Sequence, residues 1–237
     1  MNIFCHRGLF NNKDIVENTI PAFKAAVKKN LNIELDITMT KDGEIVVFHD
    51  RSLKRLTNKQ GLIKNLNYKD IKNIKLLNTN DTIPTLEEVL KLVKDKVIIL
   101  IEIKEVKSYS KILKKLNRIL LEYNGRIILQ TFDPVLLSII NKTSLKRYDT
   151  GLLVSDKYDG IKNKLYNFYI YNYCIKKRYI DFLAIPKSLV FKTIKKTTKE
   201  IFIWTIKTKE EFNKYKKYSK NLICEEDTLN NIGNNKK

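Results

Sequence analysis

Short apolar, β-branched runs recur along the chain and alternate with longer stretches whose apolar residues fall at helical spacing. That alternation is the signature of repeated βα units feeding a parallel sheet. The strand candidates are residues 2–5, 32–37, 45–48, 97–103, 126–129, 150–154, 181–184, 201–204 and 221–224. With 45–48 taken as an accessory hairpin strand, eight remain. The amphipathic segments between them are 19–29, 85–93, 108–122, 134–140, 161–177, 188–196 and 208–218. The first has Asn18 or Thr19 as a cap and Pro21 in its first turn, positions where these residues are favoured. Eight strands with intervening helices predict an α/β fold of the TIM type, a (β/α)8 barrel.

Residues 51–82 break the alternation and hold no buried strand pattern. The stretch is too long for an ordinary βα connection, so it reads as a small insertion over one barrel end, after the second strand region. The whole chain, at 237 residues with only 7 Gly and 4 Pro, reads as one folded domain spanning 1–237, with a flexible Asn/Lys-rich tail at 230–237.

Charge enlarges the set of partners that must be weighed. A net charge of +20 attracts polyanions, so weak association with an anionic membrane surface is an expectation. The lysines are spread through the chain, and neither zinc-finger nor RNP patterns are present, so nucleic acid is not expected as a partner. Cys5, Cys174 and Cys224 are scattered and odd in number, which indicates neither a disulfide framework nor a zinc site. Polar residues begin too early for a signal peptide, and no apolar run is long enough to span a bilayer. The expected location is cytoplasmic; the oligomeric state is not legible.

Candidate chemistry collects at strand ends. The chain has two histidines, and His6 and His49 each follow a strand candidate. Carboxyl ends of barrel strands face the active site, and two imidazoles there can share proton transfers near neutral pH. Glu34 and Asp36 are two apart, hence on one face of their strand, with Ile33, Leu35 and Ile37 on the other. Glu102 and Lys104 repeat that spacing at the end of an apolar run. Three inward carboxylates in a low-dielectric mouth need a cation or a proton to neutralise them. An all-oxygen set suits one hard divalent cation, Mg2+ or Ca2+. The alternative is that Glu102 merely pairs with Lys104 while Glu34 and Asp36 face solvent. Arg7 offers a cationic fork for a phosphate oxygen and Lys104 a second positive charge; alternatively Arg7 pairs with Glu17. Gly8 lets the backbone turn sharply after the first strand.

Read in order, His6-Arg7-Gly8, Glu17-Asn18-Thr19 before Ala22-Phe23, Glu34-Leu35-Asp36, Thr40-Lys41-Asp42-Gly43 and Val47-Phe48-His49-Asp50 closely resemble the glycerophosphodiester phosphodiesterase family. The likeness continues through Ile83-Pro84-Thr85-Leu86-Glu87-Glu88, Glu102-Ile103-Lys104 and Trp204-Thr205, so it covers nearly the whole chain.

The resemblance implies a TIM-type barrel with an insertion after the His-Asp motif. It implies Glu34, Asp36 and Glu102 as metal ligands, His6 and His49 as the acid/base pair, and Arg7 and Lys104 as phosphate contacts. Glu17 and Asn18 match a motif bordering the site: Asn18 touches metal or substrate, and Glu17 orients Arg7. The implied reaction converts a small-molecule glycerophosphodiester, such as glycerophosphocholine or glycerophosphoethanolamine, to glycerol 3-phosphate and an alcohol. The nucleophile is water or the glycerol 2-hydroxyl. Trp204 either lines the substrate pocket or belongs to the barrel-end core. Three departures from the family pattern bear on substrate fit: Val16 for Pro, Lys207 for Asn, and Cys224-Glu225 for Thr-Asp. Lys207 either favours a more anionic headgroup or is solvated. Two other readings compete: a phospholipase-D-like lyase acting on lysophospholipid or sphingolipid with a cyclic phosphate product, and a catalytically retired barrel that binds polyanions or membrane surfaces.

Overall fold

The computed structural model describes residues 1–104, 106–156, 165–166, 168–170, 172–225 and 228–229. The expected helix at 161–177 lies partly, and the expected tail at 230–237 wholly, outside them. The strands are β1 (Asn2–Cys5), β2 (Asn32–Met39), β3 (Ile45–Val47), β4 (Ile99–Ile103), β5 (Ile127–Thr131), β6 (Asp149–Leu153), β7 (Phe182–Pro186), β8 (Glu200–Ile206) and β9 (Asn221–Cys224). The chain forms two compact units, Cys5–Ile127 and Met1–Phe4 with Ile128–Lys237.

Within Cys5–Ile127, β2 lies between β3 and β4. The β2–β4 pairing is parallel and sets Asp36 opposite Glu102 and Ile37 opposite Ile103. Because neighbouring strands lie about 4.8 Å apart, that register alone brings two carboxylates together. The β2–β3 pairing is antiparallel, with Ile37 opposite Val47, so β3 is the accessory hairpin strand the pattern predicts. β2 runs two residues beyond its expected end, because Thr38 and Met39 pair with Val46 and Ile45.

Helix signals in this unit act locally. Thr85 forms a capping box with Glu88, each side chain bonding the other's backbone N–H, and starts helix Leu86–Val93. Ser108 accepts from Lys111 N–H and starts Tyr109–Leu121. Ahead of Ile20–Lys28, Thr19 does occupy the N-cap position, but its hydroxyl donates to Val16 O instead of capping, and Pro21 supplies the pre-set φ of the first turn.

The insertion at 51–82 builds a core of its own. Helices Lys54–Thr57 and Tyr68–Ile71 and a 3-10 turn, Ile63–Asn65, bury Leu53, Leu56, Ile63, Ile71, Ile74 and Leu76 together with Val16, Val46, Phe48 and Ile83. Its strand-like feature is a single bridge, Ser52 to Leu62.

In the other unit the strand order is β1-β9-β8-β7-β6-β5, with every pairing from β5 to β9 parallel. Its interior is apolar: Phe4, Phe182 and Phe202 pack ring against ring, and β7 is buried throughout. Asp133 and Thr208 cap Pro134–Ile140 and Lys209–Tyr215. The segment expected as a helix at 188–196 begins as a 3-10 turn, Lys187–Leu189, before the α-helix Val190–Ile194.

Candidate active site

The turn after β1 and the strands β2 and β4 deliver the charged residues to one place. Arg7 and Gly8 take positive φ, 58° and 85°, which reverses the chain directly after the strand. The Arg7 backbone N–H, freed from strand pairing, donates to Glu34 Oε2 at 3.0 Å. Asn18, also at positive φ, donates its backbone N–H to Arg7 O at 2.9 Å and its side-chain amide to Asp36 Oδ2 at 2.8 Å. The Glu-Asn pair thus anchors both the turn and a buried carboxylate.

Glu34, Asp36 and Glu102 are buried, and each offers an oxygen within 4.8 Å of those of the other two. Asp36 sits under two cations: Lys104 Nζ at 3.6 Å and Arg7 Nε at 3.3 Å, the latter a charge contact without hydrogen-bond alignment. Lys104 also donates to Glu102 at 2.6 Å, so the Glu102–Lys104 pair expected as an alternative forms, but inside the cluster. Solvent exposure of Glu34 and Asp36 does not occur: they are 2% and 1% accessible.

Titration separates the three carboxyls. Burial raises Glu34 well above its ordinary range, reinforced by the charges of Asp36 and Glu102. Burial also lifts Glu102, to about 7, with Asp36 adding and Lys104 opposing. Burial works against ionisation of Asp36 too, but Lys104, Arg7, His49 and the Asn18 amide hold it well below the usual range. Burial likewise disfavours charge on Arg7 and Lys104, yet the surrounding carboxylates raise both. Two of three adjacent carboxyls therefore resist ionising with protein groups alone.

His49 lies half-buried at the end of the β3 segment, with Nδ1 2.6 Å from Asp50 Oδ1. A carboxylate there fixes the tautomer with hydrogen on Nδ1 and leaves Nε2 as the acceptor nitrogen. Burial lowers the imidazole's pKa, and Arg7 and Lys104 lower it further against the pull of Asp36 and Asp50. His6, half-buried with its Nδ1 inside the protein, directly precedes Arg7 at the same turn.

A residue that sequence reading missed completes the arrangement. Arg55, on helix Lys54–Thr57 of the insertion, donates Nε to Asp50 Oδ2 at 2.6 Å and two further N–H groups to Glu17 Oε1 and Oε2 at 2.7 and 2.9 Å. Glu17 Oε1 also accepts from Arg7 at 2.7 Å. Trp204, by contrast, lies on β8 in the other unit, edge-on to Phe132 with ring centroids 6.1 Å apart. Lys207 and Glu225, two of the departures from the family pattern, pair with each other at 3.2 Å on the surface of that unit. Among the described residues no helix is long and apolar enough to cross a membrane.

Comparison with known proteins identifies the family and the fold. The model of the glycerophosphoryl diester phosphodiesterase family matches residues 6–227. A glycerophosphodiester phosphodiesterase of Caldanaerobacter subterraneus is 32% identical, the match covering 97% of this chain and 96% of the relative. The crystal structure of a glycerophosphodiester phosphodiesterase from Thermotoga maritima superposes with a TM-score of 0.73 at 26% identity, over 97% of this chain and 96% of that one. A phosphodiesterase from Oleispira antarctica, solved in complex with the product sn-glycerol-3-phosphate, gives 0.78 at 18% identity over 98% and 97% of the two chains. The fold is the (β/α)8 barrel with one added strand that the hydrophobic pattern predicts. With the family model matched over almost the whole chain and a relative above 30% identity aligned nearly end to end, the chain belongs to the glycerophosphoryl diester phosphodiesterase family and is a phosphodiester hydrolase.

Proposed function

We propose that this enzyme hydrolyses glycerophosphodiesters such as glycerophosphocholine and glycerophosphoethanolamine to glycerol 3-phosphate and the free alcohol, with Glu34, Asp36 and Glu102 holding one Mg2+ or Ca2+ and with His6 and His49 as the acid/base pair. The observation that carries the reading is the buried triad of carboxylates, packed under Arg7 and Lys104 and next to His49 in charge.

The residues present fit a hard divalent ion. Oxygens bound at about 2.0–2.6 Å to one ion lie no more than about 5 Å from one another, as these do. With all five ionised, as a bound cation would favour, the carboxylates Glu17, Glu34, Asp36, Asp50 and Glu102 exceed the cations Arg7, Arg55 and Lys104 by two negative charges. Bound there, a divalent cation would withdraw charge from a phosphate oxygen and stabilise the charge that develops in the transition state.

The chain's own groups do the rest. Arg7 and Lys104 are half-buried cations available to a phosphodiester, and they are kept charged by the carboxylates around them. His49, with Nδ1 committed to Asp50, exchanges a proton through Nε2, while the second proton transfer falls to His6. Whichever imidazole accepts a proton from the attacking hydroxyl, the other protonates the departing alkoxide.

An activity panel of glycerophosphodiesters with each divalent metal and an EDTA control, repeated on His6→Ala and His49→Ala, tests the proposal. Release of glycerol 3-phosphate that needs metal and both histidines is the expected result. Undiminished turnover in both variants, or a cyclic phosphate formed from lysophospholipid in preference to these substrates, would overturn it.

A further inference from the structure

The insertion at 51–82 sets the Arg55 guanidinium against Asp50 and Glu17. Arg55 meets Asp50 through Nε at 2.6 Å and Nη2 at 3.1 Å, and it meets Glu17 through Nη1 at 2.9 Å and Nη2 at 2.7 Å. Both carboxylates are thus held two-pronged by a single planar cation, the geometry that distinguishes arginine from lysine. Each is also bound to a residue of the reaction: Asp50 to His49 Nδ1 at 2.6 Å, Glu17 to Arg7 Nη1 at 2.7 Å. A continuous path of side chains therefore runs His49–Asp50–Arg55–Glu17–Arg7, with Arg55 at its centre.

We propose that Arg55 is a positioning residue, which sets His49 and Arg7 in one mutual register by clamping Asp50 and Glu17 from the insertion. This inference rests on the proposed roles of His49 and Arg7 and goes beyond them, because Arg55 touches neither reacting group.

Three features support a positioning role over a casual surface pair. Glu17 is 3% exposed, so its charge is desolvated and needs its partners. The helix that carries Arg55 is fixed on both sides, since Leu53 and Leu56 are buried in the insertion core. Its end is fixed as well: Asn58 takes a left-handed φ of 57°, and Leu77 N–H donates to Leu56 O at 2.6 Å. The insertion is in this sense a mount for one side chain, and a displacement of about 1 Å in a reacting group can cost about 10²-fold in rate.

The experiment compares Arg55→Ala, Arg55→Lys and His49→Ala in the full-length protein loaded with Mg2+, with kcat and KM measured on glycerophosphocholine and folding followed by circular dichroism. Expected are a kcat fall of about 10²-fold in both Arg55 variants, a KM change of only a few-fold, and partial recovery of Arg55→Ala but not Arg55→Lys on adding guanidinium. Arg55→Lys keeps the charge and isolates the fork if Arg55→Ala fails to fold. Arg55 variants within threefold of the parent while His49→Ala is inactive would sink this inference and leave the two-histidine reading standing. A loss that tracks melting temperature and ignores guanidinium would also sink it, by reducing Arg55 to a structural role. Full activity in His49→Ala would instead sink the underlying reading, and the inference with it.

Discussion

The two compact units handle buried polarity in opposite ways. In Cys5–Ile127, Glu17, Glu34, Asp36 and Glu102 are all less than 10% exposed, and each is met by an arginine, a lysine or a backbone N–H. In the other unit, the buried polar side chains among the described residues are hydroxyls and amides, such as Gln130, Thr150, Thr193 and Asn221. The strands show the contrast directly. β2 reads Asn-Ile-Glu-Leu-Asp-Ile-Thr-Met and alternates charge with aliphatic side chains, whereas β7 reads Phe-Leu-Ala-Ile-Pro. A buried hydroxyl or amide is satisfied by one or two hydrogen bonds, while a buried carboxylate needs compensating charge. Among its described residues one unit therefore buries no carboxylate, whereas the stability of the other also depends on the charges that surround its buried ones.

The sharpest way to break that comparison is at the histidines. His6→Ala and His49→Ala should each lower kcat by about 10²–10⁴-fold, as loss of a general acid or base does, with melting shifted little. Steady-state kinetics with Mg2+ present reads this out; an equal loss from a substitution in the other unit would erase the distinction.

Next comes Glu102, whose elevation to about 7 from an ordinary 4.5 carries a sign. Its ionisation opposes folding of the metal-free chain as pH rises from about 4.5 to 7, by on the order of 1–3 kcal/mol. Glu102→Gln should therefore raise the melting temperature of EDTA-treated protein at pH 8 by several degrees while reducing metal-dependent turnover. A lower melting temperature at pH 8 would show that the triad is satisfied without a cation.

Glu17 shifts the other way. Burial alone would raise it, but Arg55, Arg7 and Asn12 hold it down at about 2. Its contribution is therefore fully present above pH 4.5 and is lost as pH falls towards 2. Thermal melts of Glu17→Gln should fall below the parent at pH 7, and the gap should close through the acid range. A gap independent of pH would assign the loss to packing.

The smallest effect on activity is expected in the other unit. A Cβ on Gly151 of β6 would come 2.1 Å from the ring of Phe182, its neighbour on β7. Gly151→Ala should cost about 1–3 kcal/mol of stability, as overpacking does, and leave kcat at 25 °C unchanged. A large kcat loss in folded protein would mean that the apolar unit tunes the chemistry after all.

Much of this was legible in the chain itself. β1 and β9 match their expected bounds, and Glu34 and Asp36 share a face because strand alternation permits nothing else. The pairing of Arg7 with Glu17 was open to sequence reading as one of two alternatives, since a charge pair ten residues apart carries no periodic signal. Arg55 was not found, because it sits in an irregular stretch where no alternation marks a face. The available clue was indirect: Glu17 and Asp50, both next to candidate site residues in space or sequence, needed more positive charge than Arg7 supplies. Strand ends were the other weak point. β5 continues through Gln130 and Thr131, polar residues that the composition of a buried strand argues against and that the structure nonetheless buries.

The triplet His6-Arg7-Gly8 combines two kinds of constraint with different fates under mutation. A Cβ at Gly8 would lie 2.8 Å from Ala22 Cβ and 3.0 Å from Ala22 carbonyl carbon, at a φ that side chains avoid. That constraint belongs to chain reversal and not to catalysis. If His6 serves only the proposed chemistry, then in a descendant freed from selection for hydrolysis His6 should drift first, while Gly8 persists and Arg7 is retained as long as it pairs with buried Glu17. A glycine at this turn without the histidine would then be a fossil of the scaffold, and the full triplet would mark a working enzyme.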